Sequence, residues 1–320
     1  MNAFNLQVEN KIATLMFDMP DSNVNILSIS VMRELETILD ELKNSKDIDV
    51  LLFKSAKKDI FIAGADISEI KALSDEQVAY EVVRKGQTIL SKIRILPFHT
   101  IAVIDGACLG GGFELALKCD YRITTENPST KIGLPEVNLG VLPGFGGTQS
   151  LKNLIGKQKS LELILGSKLI NGQKAQKLKM VDSCVPVGYL DFKLQSLIKS
   201  IMNPSEKEKI DARRYKSNLI ERFAPSIIYS IAQKTVMKKT KGKYPAALEV
   251  IKLFRETDKL PVNEALSLEA YAFARLCVTD VSKNLISLFY ASEQLKHDSF
   301  VSKDINALPI HSLSVVGSGI

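Results

Sequence analysis

The 320-residue sequence holds only four cysteines and three histidines. Cys108, Cys119, Cys184 and Cys277 stand far apart, with no C-x-x-C pair and no histidine at ligand spacing. A zinc site or a disulfide framework needs such clustering, so these read as reduced, mostly buried thiols of a cytoplasmic protein, with no metal expected. His99 precedes an apolar run, His297 and His311 fall in polar stretches, and no G-x-S-x-G elbow occurs. A Ser-His-Asp hydrolase is excluded on those grounds. No apolar run reaches the roughly 18 residues a membrane span requires. The N-terminus lacks a basic region, a long apolar run and early arginine, so neither a signal nor a transit peptide is expected. Basic residues are not interleaved with aromatics, which argues against a nucleic-acid protein.

Apolar residues at 45% and charged residues at 24% are ordinary for a folded soluble protein, and the length suggests about two folded units. The net charge of +6 is local. Residues 204–259 hold 14 basic and 7 acidic residues, net +7, which leaves the rest at about −1. Such a stretch is compatible with a solvated helical face or with a surface that attracts phosphates.

Phe4–Val8 and Ile12–Phe17 read as a β-hairpin. Ser30 is placed to cap a helix with apolar positions Val31, Leu35, Ile38, Leu39 and Leu42. Val50–Phe53, Ile101–Ile104 and Tyr121–Thr125 read as strands, and Asp75 to about Arg94 as a helix ended before Pro97. This alternation predicts an α/β fold with a largely parallel sheet over residues 1–190. Residues 191–310 read as an α-helical connector, and no internal repeat is evident. Residues 311–320 read as a strand entering a G-x-G turn, too short by itself to bind a dinucleotide.

Three glycine-bearing segments carry the candidate chemistry. Ala63-Gly64-Ala65-Asp66-Ile67 follows a strand, and its small residues admit a ligand close to the backbone. In Gly106–Leu117, Gly110-Gly111-Gly112 lead into an apolar helix whose N-terminal N–H groups can face a developing negative charge. Glu114 lies in its first turn, either as a dipole-stabilised surface group or as a functional carboxylate. Glu136 lies in an apolar loop that runs to Gln149. Two carboxyls in apolar settings suit acid–base work at carbon.

Together, A-G-A-D-I at 63–67, G-x-x-L-G-G-G-x-E-L-A at 106–116 and P-E-x-x-L-G-x-x-P-G-x-G-G-T-Q at 135–149 resemble the crotonase (enoyl-CoA hydratase/isomerase) superfamily. The resemblance implies a crotonase-type ββα superhelix and hydration of 2-enoyl-CoA to 3-hydroxyacyl-CoA in β-oxidation. It implies Glu114 and Glu136 as catalytic residues, the N–H groups of Ala65 and Gly111 as an oxyanion hole, and the Gly144 N–H as a holder of water. Ala63, Asp66, Ile67, Ser68 and Glu293 would contact the acyl-CoA. Retention of both glutamates favours a hydratase, with 3-enoyl to 2-enoyl isomerisation as a secondary activity. The alternatives are a crotonase-fold isomerase, or a non-catalytic acyl-CoA-binding or thiolase-contacting module.

The helical region resembles the segment joining hydratase to dehydrogenase in multifunctional fatty-acid oxidation α-subunits. That implies a truncated 3-hydroxyacyl-CoA dehydrogenase beginning at 311–320 and a thiolase β-subunit as partner of the full-length complex. No cofactor is implied for these residues, since CoA belongs to the substrate and NAD to the missing dehydrogenase.

Overall fold

A computed structural model describes residues 2–202, 221, 223–297, 312 and 314. The strand read at 311–320, apart from Ser312 and Ser314, and the first part of the basic stretch read at 204–259 (residues 204–220 and 222) thus fall outside the described residues. Strands β1 (Phe4–Glu9) and β2 (Ile12–Phe17) form the expected antiparallel hairpin. The turn at Asn10 and Lys11 has positive φ at both residues, the geometry that matches the twist of paired strands. Helix α1 (Ile29–Leu42) begins two residues earlier than expected. Its cap is Ser28, whose Oγ accepts from Val31 N at 3.2 Å, while Ser30 sits inside the first turn.

Strands β3 (Val50–Ser55), β5 (His99–Ile104), β7 (Tyr121–Thr125) and β9 (Ser183–Val185) extend the hairpin in parallel, in the order β1-β2-β3-β5-β7-β9. Three-residue strands β4 (Ile60–Ile62), β6 (Ala107–Leu109) and β8 (Lys131–Gly133) form a second, parallel sheet in the order β4-β6-β8. The chain therefore visits the large sheet, then the small one, then a helix, and repeats the circuit. This is the ββα superhelix of the crotonase fold. After β4 come α2 (Ile67–Ala72) and α3 (Glu76–Ile93), and after β6 comes α4 (Gly111–Ala116). Helices α5 (Gly147–Ile155), α6 (Lys157–Leu165) and α7 (Gly172–Lys177) lie between β8 and β9.

Both faces of the central strands β3, β5 and β7 are buried, which explains their continuous apolar runs. Leu51, Phe53, Ala102 and Ile104 face the main core, whereas Val50, Leu52, Ile101 and Val103 pack with Leu194 and Ile201 of α8 (Leu190–Ile201). The alternation follows from the two-residue period of a strand. Helices α9 (Pro225–Thr240), α10 (Pro245–Glu256), α11 (Val262–Cys277) and α12 (Asp280–His297) complete the described chain. Proline starts α9 and α10, where its missing N–H costs no intrahelical bond. Side chains of α10 and α11 belong to the same core as α1, α3 and the large sheet. Cys108, Cys119 and Cys277 are buried and unpaired, as expected, and Cys184 is partly exposed.

Candidate active site

The three glycine-bearing segments converge at the N-terminus of α4. Gly110 has φ of 50°, in the left-handed region where a Cβ is penalised. Its N–H is tied to Gly133 O at 2.9 Å. Gly111 is then the first helical residue, so its N–H has no helical carbonyl to pair with.

Leu27 and Ala65 make an isolated parallel bridge, with Leu27 N donating to Gly64 O at 2.8 Å and Asp66 N donating to Leu27 O at 3.3 Å. The N–H of the intervening residue points away from such a pairing, which turns Ala65 N–H away from Leu27. A Cβ built on Gly111 would lie 3.4 Å from Ala65 N, so these two segments are adjacent. This juxtaposition can bind one oxygen that gains negative charge.

Glu114 is 2% exposed, and its Oε1 accepts from Phe145 N at 2.8 Å and from Gly147 N at 2.7 Å. Burial raises its pKa well above the usual carboxylate range, the nearby carboxyls of Glu136 and Glu269 add to this, and the two N–H donors oppose it. Glu136 opens a 3-10 turn, Glu136–Leu139, after Pro135. Both of its carboxyl oxygens are buried without a hydrogen-bond partner, and Oε1 lies close to Gly110, 3.1 Å from where a Cβ there would be. Burial pushes its pKa up to about 8, its own backbone N–H opposing and Glu269 adding. Two buried carboxyls this close are costly as a pair of anions, so the Glu114–Glu136 pair retains a proton near neutral pH.

Ala63, Ala65, Asp66, Ile67, Gly111, Glu114, Glu136 and Gly144 all line one cavity of about 530 Å³, a size suited to a small-molecule site. Much of the remaining wall is apolar, including Leu27, Met32, Val83, Ile89, Phe145 and Phe273. Arg33 and Lys85 also line it, whereas no described residue of 204–259 does.

Two residues expected at the site lie outside this lining. Ser68 Oγ donates to Asp66 Oδ1 at 2.6 Å, within the cap of α2. Glu293 is on an exposed stretch of α12, paired with Lys296 at 2.5 Å, and the residue of that helix that lines the cavity is Phe289. Among the described residues no cluster of His, Cys, Asp or Glu could hold a metal ion.

Sequence reasoning missed Glu269, which is completely buried on α11. Its signal was a carboxyl on an apolar helix face, four residues after Ala265 and four before Phe273. Also missed was Lys118, a buried ammonium whose pKa is lowered by burial against the opposing charges of Glu269 and Glu114. Lys283 of α12 went unnoticed too. Its Nζ donates to Ile70 O at 3.2 Å, to Lys71 O at 2.7 Å and to Leu73 O, and so closes the C-terminal end of α2.

Comparison with known proteins identifies the family. The family model for enoyl-CoA hydratase/isomerase matches residues 7–264, past the boundary expected near 190. The fatty acid oxidation complex subunit alpha of Vibrio cholerae is 36% identical over 321 residues, and that of Vibrio parahaemolyticus is 35% identical over 319. These cover 100% and 99% of this chain and 45% of each relative, so the chain spans about half the length of the curated relatives it matches. An enoyl-CoA hydratase of Bacillus anthracis has a TM-score of 0.57 at 26% identity, covering 92% of this chain and 97% of that one. Human mitochondrial delta3-delta2-enoyl-CoA isomerase shares the fold, with a TM-score of 0.66 at 21% identity over 93% of this chain and all of the other. By its fold, its motifs and these matches, the chain belongs to the enoyl-CoA hydratase/isomerase family.

Proposed function

We propose that the chain hydrates 2-enoyl-CoA thioesters to 3-hydroxyacyl-CoA in fatty-acid oxidation. The observation that carries this reading is the pairing of two buried glutamates of unequal environment beside two backbone N–H groups. Glu114 accepts from the N–H groups of Phe145 and Gly147, whereas no other residue donates to the carboxyl of Glu136. Two coupled buried carboxyls then share a proton, with Glu136 its natural holder.

The thioester oxygen accepts from Ala65 and Gly111 N–H, which polarises the C2–C3 double bond. Each such donor contributes about 3–4 kcal/mol to an oxyanion-like transition state. With Oε1 of Glu114 committed to Phe145 and Gly147, Oε2 is left to take a proton from water. The water oxygen bonds to C3, the C2–C3 π electrons move toward the carbonyl, and the Glu136 proton is delivered to C2. One water is consumed, and the two carboxyls end with exchanged protonation. Gly144, eight residues past Glu136, has its carbonyl fixed by Gln87 Nε2 at 2.9 Å, which supports a role for its N–H in holding the water.

A secondary 3-enoyl to 2-enoyl isomerisation uses one carboxyl to move a proton between C2 and C4. The unpaired Glu136 supports that reading. Glu136→Gln is expected to lower kcat for crotonyl-CoA hydration by about a thousandfold with an unchanged fold. Unaltered hydration by that variant contradicts the two-glutamate mechanism. Glu114→Gln is expected to lose hydration while keeping isomerisation, and loss of both activities contradicts the division of labour. A complex with a thiolase β-subunit belongs to the same proposal, and co-purification of the two chains tests it.

A further inference from the structure

Four consecutive backbone N–H groups, Phe145 to Thr148, alternate between two buried carboxyls. Phe145 N and Gly147 N donate to Glu114 Oε1. Gly146 N donates to Glu269 Oε1 at 2.6 Å, and Thr148 N donates to Glu269 Oε2 at 3.2 Å. Thr148 Oγ1 donates to Glu269 Oε2 as well. Glu269 is fixed in turn by Gln87, whose Nε2 donates to its Oε1 at 3.2 Å, to Leu266 O at 3.0 Å and to Gly144 O at 2.9 Å. Glu269, Gln87 and Thr148 are all essentially inaccessible to solvent.

We infer that Glu269 is a positioning residue for catalysis: it locks the Phe145–Thr148 loop from the α11 side, so that Phe145 and Gly147 aim at Glu114. Successive N–H groups of this loop point in alternate directions, so a carboxyl on one side alone leaves half of them unpaired in a dry site. Leaving a buried donor unpaired is strongly unfavourable, and two carboxyls on opposite sides satisfy all four. Glu269 neither touches the proposed reacting atoms nor lines the cavity. It acts by orienting the donors of Glu114, where a displacement of about 1 Å is enough to cost about a hundredfold in rate. The inference rests on the hydratase reading for its kinetic consequence and on geometry alone for its structural one.

The experiment pairs two readouts on Glu269→Gln and on the milder Thr148→Val. The first is residue-resolved amide hydrogen exchange of the loop. Faster exchange is expected at Phe145 and Gly147, which donate to Glu114 and not to Glu269, as well as at Gly146 and Thr148. If only Gly146 and Thr148 lose protection, Glu269 does not position the donors of Glu114 and the inference is overturned. The second is steady-state hydration of crotonyl-CoA. Glu269→Gln is expected to lower kcat about a hundredfold and Thr148→Val several-fold, with KM within about threefold of the parent. A rise in KM with kcat unchanged overturns the inference. Should Glu269→Gln fail to fold, Thr148→Val carries both readouts. An inactive parent chain refutes the hydratase reading, and the exchange pattern still decides the role of Glu269.

Discussion

Substituting Gly147 by alanine sets two physical rules against each other. Gly147 is the first residue of α5, its φ is not left-handed, and alanine is the better helix former by about 1 kcal/mol. Helix propensity alone therefore predicts a harmless or stabilising change. The geometry predicts otherwise. A Cβ there would lie 2.6 Å from Glu114 Oε1, 2.8 Å from its Cγ and 3.0 Å from its Cδ. The glutamate has to retreat by several tenths of an ångström or more, and with it go the bonds from Phe145 and Gly147. Each such bond contributes about 1 kcal/mol net, and a donor left buried and unpaired costs about 1–3 kcal/mol. With two donors affected and the gain in propensity set against them, the variant should lose about 1–5 kcal/mol of stability. The rate should suffer far more, because the displaced group is the one proposed to take the proton from water. A fall in kcat of about a hundredfold is expected with KM nearly unchanged. Steady-state hydration of crotonyl-CoA, alongside thermal unfolding, measures both. A variant that is more stable than the parent and as fast would refute the account of Glu114.

Other outcomes follow from the same site. With the Glu136 pKa near 8, the acid form is lost above that pH, so kcat/KM should fall on an alkaline limb near pH 8; a profile flat to pH 9.5 contradicts this. The same raised pKa links to stability. The folded chain holds a proton that the unfolded chain releases at about 4.3, so this contribution is full below the unfolded value and is lost as pH rises through about 8. Thermal unfolding of the ligand-free chain should accordingly occur at lower temperature at pH 9 than at pH 6, and by less in Glu136→Gln. Lys283→Met removes the ammonium that closes the C-terminal end of α2, the helix that begins at Asp66 and Ile67. Its expected effect is a threefold to tenfold rise in KM, about 1 kcal/mol, with kcat within twofold.

Much of the fold could be read from the sequence because its longer elements obey simple periods. The hairpin, α1, α3 and β7 fall within a residue or two of where apolar spacing and turn residues put them. The short strands β4, β6 and β8 escaped, since three residues carry no measurable period. Without them the ββα circuit looks like plain strand–helix alternation, and its repetition leaves no trace in residue identities. What recurs is a sequence of lengths and burials. Motif residues were legible because glycines at fixed offsets constrain backbone paths that few other contexts demand. Glu269 was not, since its partners Gly146 and Thr148 lie more than 120 residues away and only tertiary packing joins them. Glu293 lies outside the cavity lining, on the exposed side of its helix. A carboxylate in a helix with both polar and apolar positions has no local mark that says which side it serves, and here it meets water and Lys296.

The sequence separations within the interleaved clamp have a kinetic meaning. Its groups come from residues 87, 114, 145–148 and 269, so its hydrogen bonds close chain loops of about 30 to more than 180 residues. Long-range closures are entropically expensive until the structure around them exists. The hairpin and its parallel neighbours can assemble from residues 4–125, whereas the loop beside Glu114 acquires its full set of acceptors only when α11 docks. Competence for chemistry is thus a late event in the folding of this chain, set by the arrival of a helix more than 100 residues beyond either of the glutamates proposed to carry it.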